Sequence, residues 1–339
     1  MRLSTLAAAA AACLLPVGLL AADASASDAD GRSACPSPVA TTLTDESVPE
    51  GTDVEACGLV GELIEVEGGL ELQIPEPGVT LTMEAYYVDG AEMASVRVAA
   101  DGSIAYPDEQ ISAGSQLTAS APGACSDSAF TTKDAEQAGR WNWWLGDGVR
   151  PAGLTTSETR DALKEALTWL SEGHNNCNIT PGYSEYAVSA YYNGVSELES
   201  DFHLYGDGKS VCGDGSLDGR DGKSVVDFGN LDDPGNTTPL AAECTWTLPQ
   251  PFNKNNILES DVRFNTTDKS FYYNKPSSCS NRFDLRGVAL HEFGHSYGLG
   301  HVSESSHGNL TMSTQLDDCD NSQRTLGNGD LLGLKDIYG

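Results

Sequence analysis

The sequence predicts an α+β protein in which strands and helices alternate over a carboxyl-terminal region, preceded by a smaller β-rich region. Three observations carry this. Residues 27–121 alternate apolar with polar positions and carry Asp-Gly pairs between the runs. Beyond residue 139, strand-like runs are interleaved with segments whose apolar residues recur every three or four positions. Finally, HEFGHSYGLGH, from His291 to His301, has a spacing that suits a helix followed by a turn.

The chain opens on MRLSTLAAAAAACLLPVGLLAADASA, where Arg2 precedes an apolar run from Leu6 to Ala22 and small residues close the stretch. That is the pattern of a secretory signal peptide at 1–26. The run is short and alanine-rich for a membrane anchor. Residues 27–121 then read as a β-rich unit, because GVTLTMEAYYVDGAEMASVRVAADGSIAYPD alternates and is punctuated by Asp89-Gly90 and Asp101-Gly102, which suit hairpin turns. It carries no recognisable chemistry, and propeptide, accessory binding domain and structural cap all remain open readings of it. Pro122 and Gly123 open a small, polar stretch, so residues 122–138 are expected to be a linker.

The main region is expected at 139–339. Its first strand falls near Trp141–Leu145, and a helix near Ser157–Glu172 starts from a Thr155/Glu158 capping box and repeats Leu163, Leu167 and Leu170 on one face. Strands follow near Val225–Phe228, Leu240–Leu248 and Asp261–Phe264, then the histidine-bearing helix from Leu285, then a last helix near Asp330–Tyr338.

Composition narrows the function classes. The formal net charge is −31, with no basic cluster to offset it, so nucleic acid and anionic lipid are disfavoured as partners, and stable membrane association is not expected. With Cys13 in the leader, eight cysteines remain: Cys35, Cys57, Cys125, Cys177, Cys212, Cys244, Cys279 and Cys319. An even number in an exported chain suggests up to four disulfides, and eight cysteines allow 105 pairings. Only Cys35 with Cys57 is favoured by position.

Within HEFGHSYGLGH, His291 and His295 lie four residues apart and so share a helical face, where both rings can reach one ion. Glu292 sits beside them as a base rather than a ligand. His301 lies six residues past His295, off that face, so the chain must turn, and Gly298 is the residue able to do so. Three neutral imidazoles leave a tetrahedral zinc one position for water, the arrangement of a catalytic site. Glu292 is then placed to take the proton of that water and to return it to the leaving amine.

The eleven residues resemble the zinc signature of the metzincin metallopeptidases, and NLTMST offers Met312 as the methionine turn of that clan. Within it the chain is most similar to the matrixins and their bacterial secreted relatives: GRWNWWLGDGVRPAGL, DGKSVVDFGNLDD, ESDVRFNTTDKSFYY and RTLGNGDLLGLKDIYG resemble successive matrixin elements in order. The resemblance spans roughly Ala129 to Gly339. It implies a twisted, mostly parallel sheet with one antiparallel edge strand, an active-site helix, a methionine turn below the metal and a carboxyl-terminal helix. It also implies zinc held by His291, His295 and His301, and a protein or peptide substrate laid along the sheet edge at PLAAECTWTL. Three departures stand out. Thr314 replaces the usual proline after the turn, Val302 replaces serine after the third histidine, and no inhibitory PRCG segment is found.

A second ion is suggested by DGSLDGRDG, where Asp214, Ser216 and Asp218 alternate before Gly219 like the start of a calcium loop, although Val225 stands where an EF-hand has glutamate. His174 and His203 show no ligand spacing, and His307 reads as a surface residue. The function expected is a secreted zinc endopeptidase with Glu292 as general base. The alternative is an exported binding or adhesion protein that retains such a zinc domain with little proteolytic activity.

Overall fold

The computed structural model describes residues 35–36, 43–66, 69–107, 121–204, 210–216, 219–231, 238–251 and 253–339. The expected leader lies outside these, as does Asp218 of the expected calcium loop.

The amino-terminal strands are β1 (Leu43–Thr44), β2 (Leu63–Glu65), β3 (Glu71–Gln73), β4 (Thr80–Tyr86), β5 (Ala91–Val98) and β6 (Ile104–Ala105). There follow β7 (Thr131–Thr132), β8 (Ala135–Gln137), β9 (Trp141–Leu145), helix α1 (Thr156–Glu172), β10 (Ala190–Val195), β11 (Phe202–Leu204) and β12 (Ser210–Cys212). The remainder comprises β13 (Ser224–Gly229), β14 (Ala241–Leu248), β15 (Asn255–Asn265), β16 (Phe271–Tyr272), β17 (Phe283–Asp284), α2 (Leu285–Ser296), β18 (Leu299–Gly300), α3 (Glu304–His307) and α4 (Asn328–Tyr338).

The main sheet runs β10-β9-β13-β15-β14 and continues β4-β5-β6. Its first four strands are mutually parallel and β14 is antiparallel to β15, as the resemblance implies. Parallel strands are covered on both faces and read as apolar runs, and β13 is buried along all but its last residue.

Helix α1 starts where the capping box places it. The Thr155 hydroxyl accepts the Glu158 N–H, and the Glu158 carboxylate accepts the Thr155 N–H at 2.9 Å. It ends at Gly173 in the left-handed region, φ 62°. Its Ala162, Leu163, Ala166, Leu167 and Leu170 join a core with Trp141, Trp143, Val288 and Phe293. All of α2 except Arg286 is buried, because this helix runs under the sheet with α1 beside it.

Two features differ from the sequence reading. The amino-terminal strands do not keep a sheet of their own: β4 pairs with β14, and β3 pairs in parallel with β12 in a second sheet, β1-β2-β3-β12-β11. A second core results, in which Leu72, Leu81, Met83 and Val96 pack with Phe202, Ala242 and Trp246 of the main region. Secondly, part of the expected linker is structured, with β7 pairing β18 and β8 pairing β15. Strands of two or three residues are too short for periodicity to reveal. All eight cysteines named above are paired, Cys35 with Cys57 as expected, and Cys125–Cys177, Cys212–Cys244 and Cys279–Cys319 besides.

Replacing Thr155 by Ala removes the α1 cap while leaving its buried face intact. Urea unfolding is expected to show a loss of about 1 kcal/mol.

Candidate metal centre

Helix α2 begins at Asp284, whose carboxylate accepts the Arg286 N–H, and it carries His291 and His295 one turn apart. The helix gives way at Tyr297, and the chain turns through Gly298 at φ +87°. A Cβ there would lie 2.1 Å from the Ala135 carbonyl oxygen, so the turn needs glycine on two counts. Pairing of Leu299–Gly300 with β7 then directs His301 back toward the helix.

The three rings converge. His295 Nε2 lies 3.1 Å from His291 Nε2 and 3.1 Å from His301 Nε2. His291 Nδ1–H donates to the Thr311 carbonyl and His295 Nδ1–H to the Leu299 carbonyl, each at 2.8 Å. This fixes the tautomer and leaves the Nε2 lone pairs facing one another. Burial first, then the neighbouring His301, holds both His291 and His295 well below the ordinary histidine range, so they are neutral. Neutral nitrogens pointed at a common centre repel unless a cation lies among them, and nitrogen is a donor zinc prefers. The donor set therefore fits zinc.

Met312 is buried, and a Cβ on Gly294 would come within 2.4 Å of its sulfur. The methionine segment thus packs against the helix between the two ligating histidines. It is pinned from α4: the Asp330 carboxylate accepts N–H groups of Thr311 at 3.0 Å, Met312 at 3.2 Å and Gly327 at 2.7 Å. Since Thr311 also supplies the carbonyl that orients His291, Asp330 steadies the cluster through one intermediate residue.

Glu292 is fully buried, and burial, then the carboxylates of Glu84 and Glu243, push it well above the ordinary glutamate range. Glu243 in turn accepts from Lys133 Nζ at 2.6 Å and from Ser260.

Sequence reasoning missed one member of the site. Glu84, from β4, brings Oε1 to 3.2 Å from His301 Nε2 and completes a group of four possible metal donors with His291, His295 and His301. The position expected to be open to water is thus faced by a carboxylate. Tyr86, two residues on, stacks on the His291 ring at 3.9 Å between centroids and 7° between planes. PLAAECTWTL likewise differs from expectation, since β14 is not a free edge but an internal strand with β4 beyond it.

A second group lies elsewhere. Asp201, Asp221 and Glu259 bring carboxylate oxygens within 4.8 Å of one another and could hold a second ion. Of the expected calcium loop, Asp214 takes no part in this group. It accepts the Ser216 N–H at 2.7 Å, and Gln73 donates to the Ser216 carbonyl. His174 stacks on Trp169, and His307 Nδ1 lies 3.0 Å from Asp127, so neither joins the zinc donors.

Comparison with known families matches residues 166–339 to Matrixin. No curated protein matches the chain. The matched stretch is more than half of the chain and contains all three zinc histidines and Glu292, so the chain belongs to the matrixin family of zinc metalloendopeptidases.

Proposed function

We propose that the chain is a secreted endopeptidase that cuts internal peptide bonds, with Glu292 as its general base. The observation that carries this reading is the convergence of three imidazoles beside the buried carboxyl of Glu292. Zinc, when bound by His291, His295 and His301, supplies a Lewis acid that polarises the scissile carbonyl and acidifies the attacking water. Glu292 accepts the proton of that water and delivers it to the departing amine. The substrate backbone would pair with β14 only where β4 has left that strand, a recognition mode that tolerates many sequences. Export is supported by four disulfides and by the leader-like first 26 residues. Among the described residues, no helix is long and apolar enough to cross a membrane.

We also assign calcium to the Asp201, Asp221 and Glu259 group, since hard oxygen donors suit it. Burial first, then the neighbouring carboxylates, pushes Asp201 up to about 9; burial also raises Glu259 to about 7. Asp261, wholly buried beside them, is raised as well, while Arg220 approaches Glu259 at 3.8 Å.

Glu292→Ala is expected to retain zinc by metal analysis and to lose at least 100-fold in cleavage of unfolded casein. Chelator should abolish cleavage by the unsubstituted protein; undiminished activity in either case would remove the mechanism.

Because the folded-state values of Asp201 and Glu259 lie above those of the unfolded chain, these groups favour the fold when protonated. Their contribution is complete below about pH 4 and is lost as pH rises through 7 to 9. Calcium should therefore raise Tm at pH 8 and do little at pH 4, and Asp201→Asn together with Glu259→Gln should remove the effect. Identical melting with and without calcium at pH 8 would dismiss the assignment.

A further inference from the structure

A cavity lined by hydroxyl groups lies along the main sheet, apart from the three histidines. Thr245 of β14 stands opposite Thr82 of β4, and Thr247 opposite Thr80. On β5, Ser95 stands opposite Thr82 and Arg97 opposite Thr80. Two rows result across three strands, Thr245–Thr82–Ser95 and Thr247–Thr80–Arg97, and strand alternation keeps both on one face. These rows line a cavity of about 270 Å³, which is completed by Thr131, Lys133 and Gly300. Pairing of β7 with β18 places Thr131 opposite Gly300, and the Thr131 hydroxyl donates to the His301 carbonyl at 2.6 Å.

Several polar groups here exceed what packing requires. Thr245 is wholly buried, yet its Oγ1 has no hydrogen-bond partner. The Lys133 side chain is 8% exposed, and its ammonium, which carries three donors, gives one to Glu243 at 2.6 Å. Arg97 is exposed and enters none of the ion pairs among the described residues, although the chain carries a net charge of −31. One carboxylate, that of Asp134, also lines the cavity, and it is exposed. A buried hydroxyl without a partner is costly, and valine would fill the place of Thr245 equally well if shape were all that mattered.

The lining selects among ligands. A guanidinium and an ammonium favour an anion, and carboxylate suits both. Threonine and serine hydroxyls donate and accept at once, so the two rows match a molecule whose own hydroxyls do the same. A bare carboxylate or phosphate would satisfy the cations and leave the acceptor capacity of the rows unused. A peptide would need a free strand edge, whereas β14 and β4 already pair with each other through these residues. The volume lies near the small end for ligand sites, which suits one sugar-sized molecule.

We propose that this cavity binds a small hydroxylated carboxylate of the sugar-acid class, held by Lys133 and Arg97 over the threonine rows. Thr80, Thr82, Ser95 and Arg97 belong to the amino-terminal strands, and Thr131, Lys133, Thr245 and Thr247 to the main region, so the ligand fastens one to the other. The site stands independently of the peptidase reading.

The test is calorimetric titration of the full chain with glucuronate, and with glucose, acetate and inorganic phosphate as partial counterparts. Glucuronate is expected to bind at one site, to raise Tm, and to bind at least about ten-fold more tightly than each counterpart. Thr245→Val keeps the shape and removes the unpartnered hydroxyl, while Arg97→Gln alters an exposed residue and leaves the fold intact. Each is expected to weaken glucuronate by about ten-fold while melting like the unsubstituted chain in its absence. No saturable glucuronate binding would overturn the proposal, as would binding that neither substitution changes. Glucose bound as tightly would remove the role of the cations, and acetate or phosphate bound as tightly would remove that of the hydroxyl rows; either result refutes the ligand class.

Discussion

Three imidazoles that converge on one point, two of them uncharged with their protonated nitrogens turned away, form the constraint around which this molecule is arranged. Lone pairs so placed are repulsive by themselves and become favourable only around a shared cation. Each surrounding feature serves that placement. The Thr311 and Leu299 carbonyls fix two of the rings, the positive φ of Gly298 returns the chain for the third, and Asp330 holds the segment that carries Thr311. The α2 helix is buried nearly all round, which excludes water and strengthens every electrostatic interaction within the site.

The same constraint explains why the amino-terminal region is woven in rather than appended. Its strands extend both sheets, and its core includes Phe202, Ala242 and Trp246 from the main region. β14 therefore has two partners, β15 on one side and β4 on the other. The strand that would receive a peptide is already paired, and the resident strand brings a zinc-compatible carboxylate with it.

Legibility in the sequence followed the range of the interactions. Helix α1 was readable because its cap and its leucine spacing are local, and the histidine helix because one ion demands a four-residue interval. Cys35 with Cys57 was favoured because the two are near neighbours. The pairing of β4 with β14 leaves no local trace, since alternation shows that a strand exists and not what it pairs with. Glu84 was hidden for the same reason: on an alternating strand, a polar face reads as solvent-exposed until the partner is known. The acidic group is discontinuous in the same way: Asp201 and Glu259 come from separate segments, and only Asp221 lies within DGSLDGRDG, where Asp214, Ser216 and Asp218 form the pattern that is visible locally.

Zinc K-edge X-ray absorption on the full-length chain tests the central claim most directly, because it counts the donors. The account predicts three imidazole nitrogens at about 2.0–2.1 Å with one carboxylate oxygen at a similar distance. A shell containing sulfur, or fewer than three imidazoles, would contradict it.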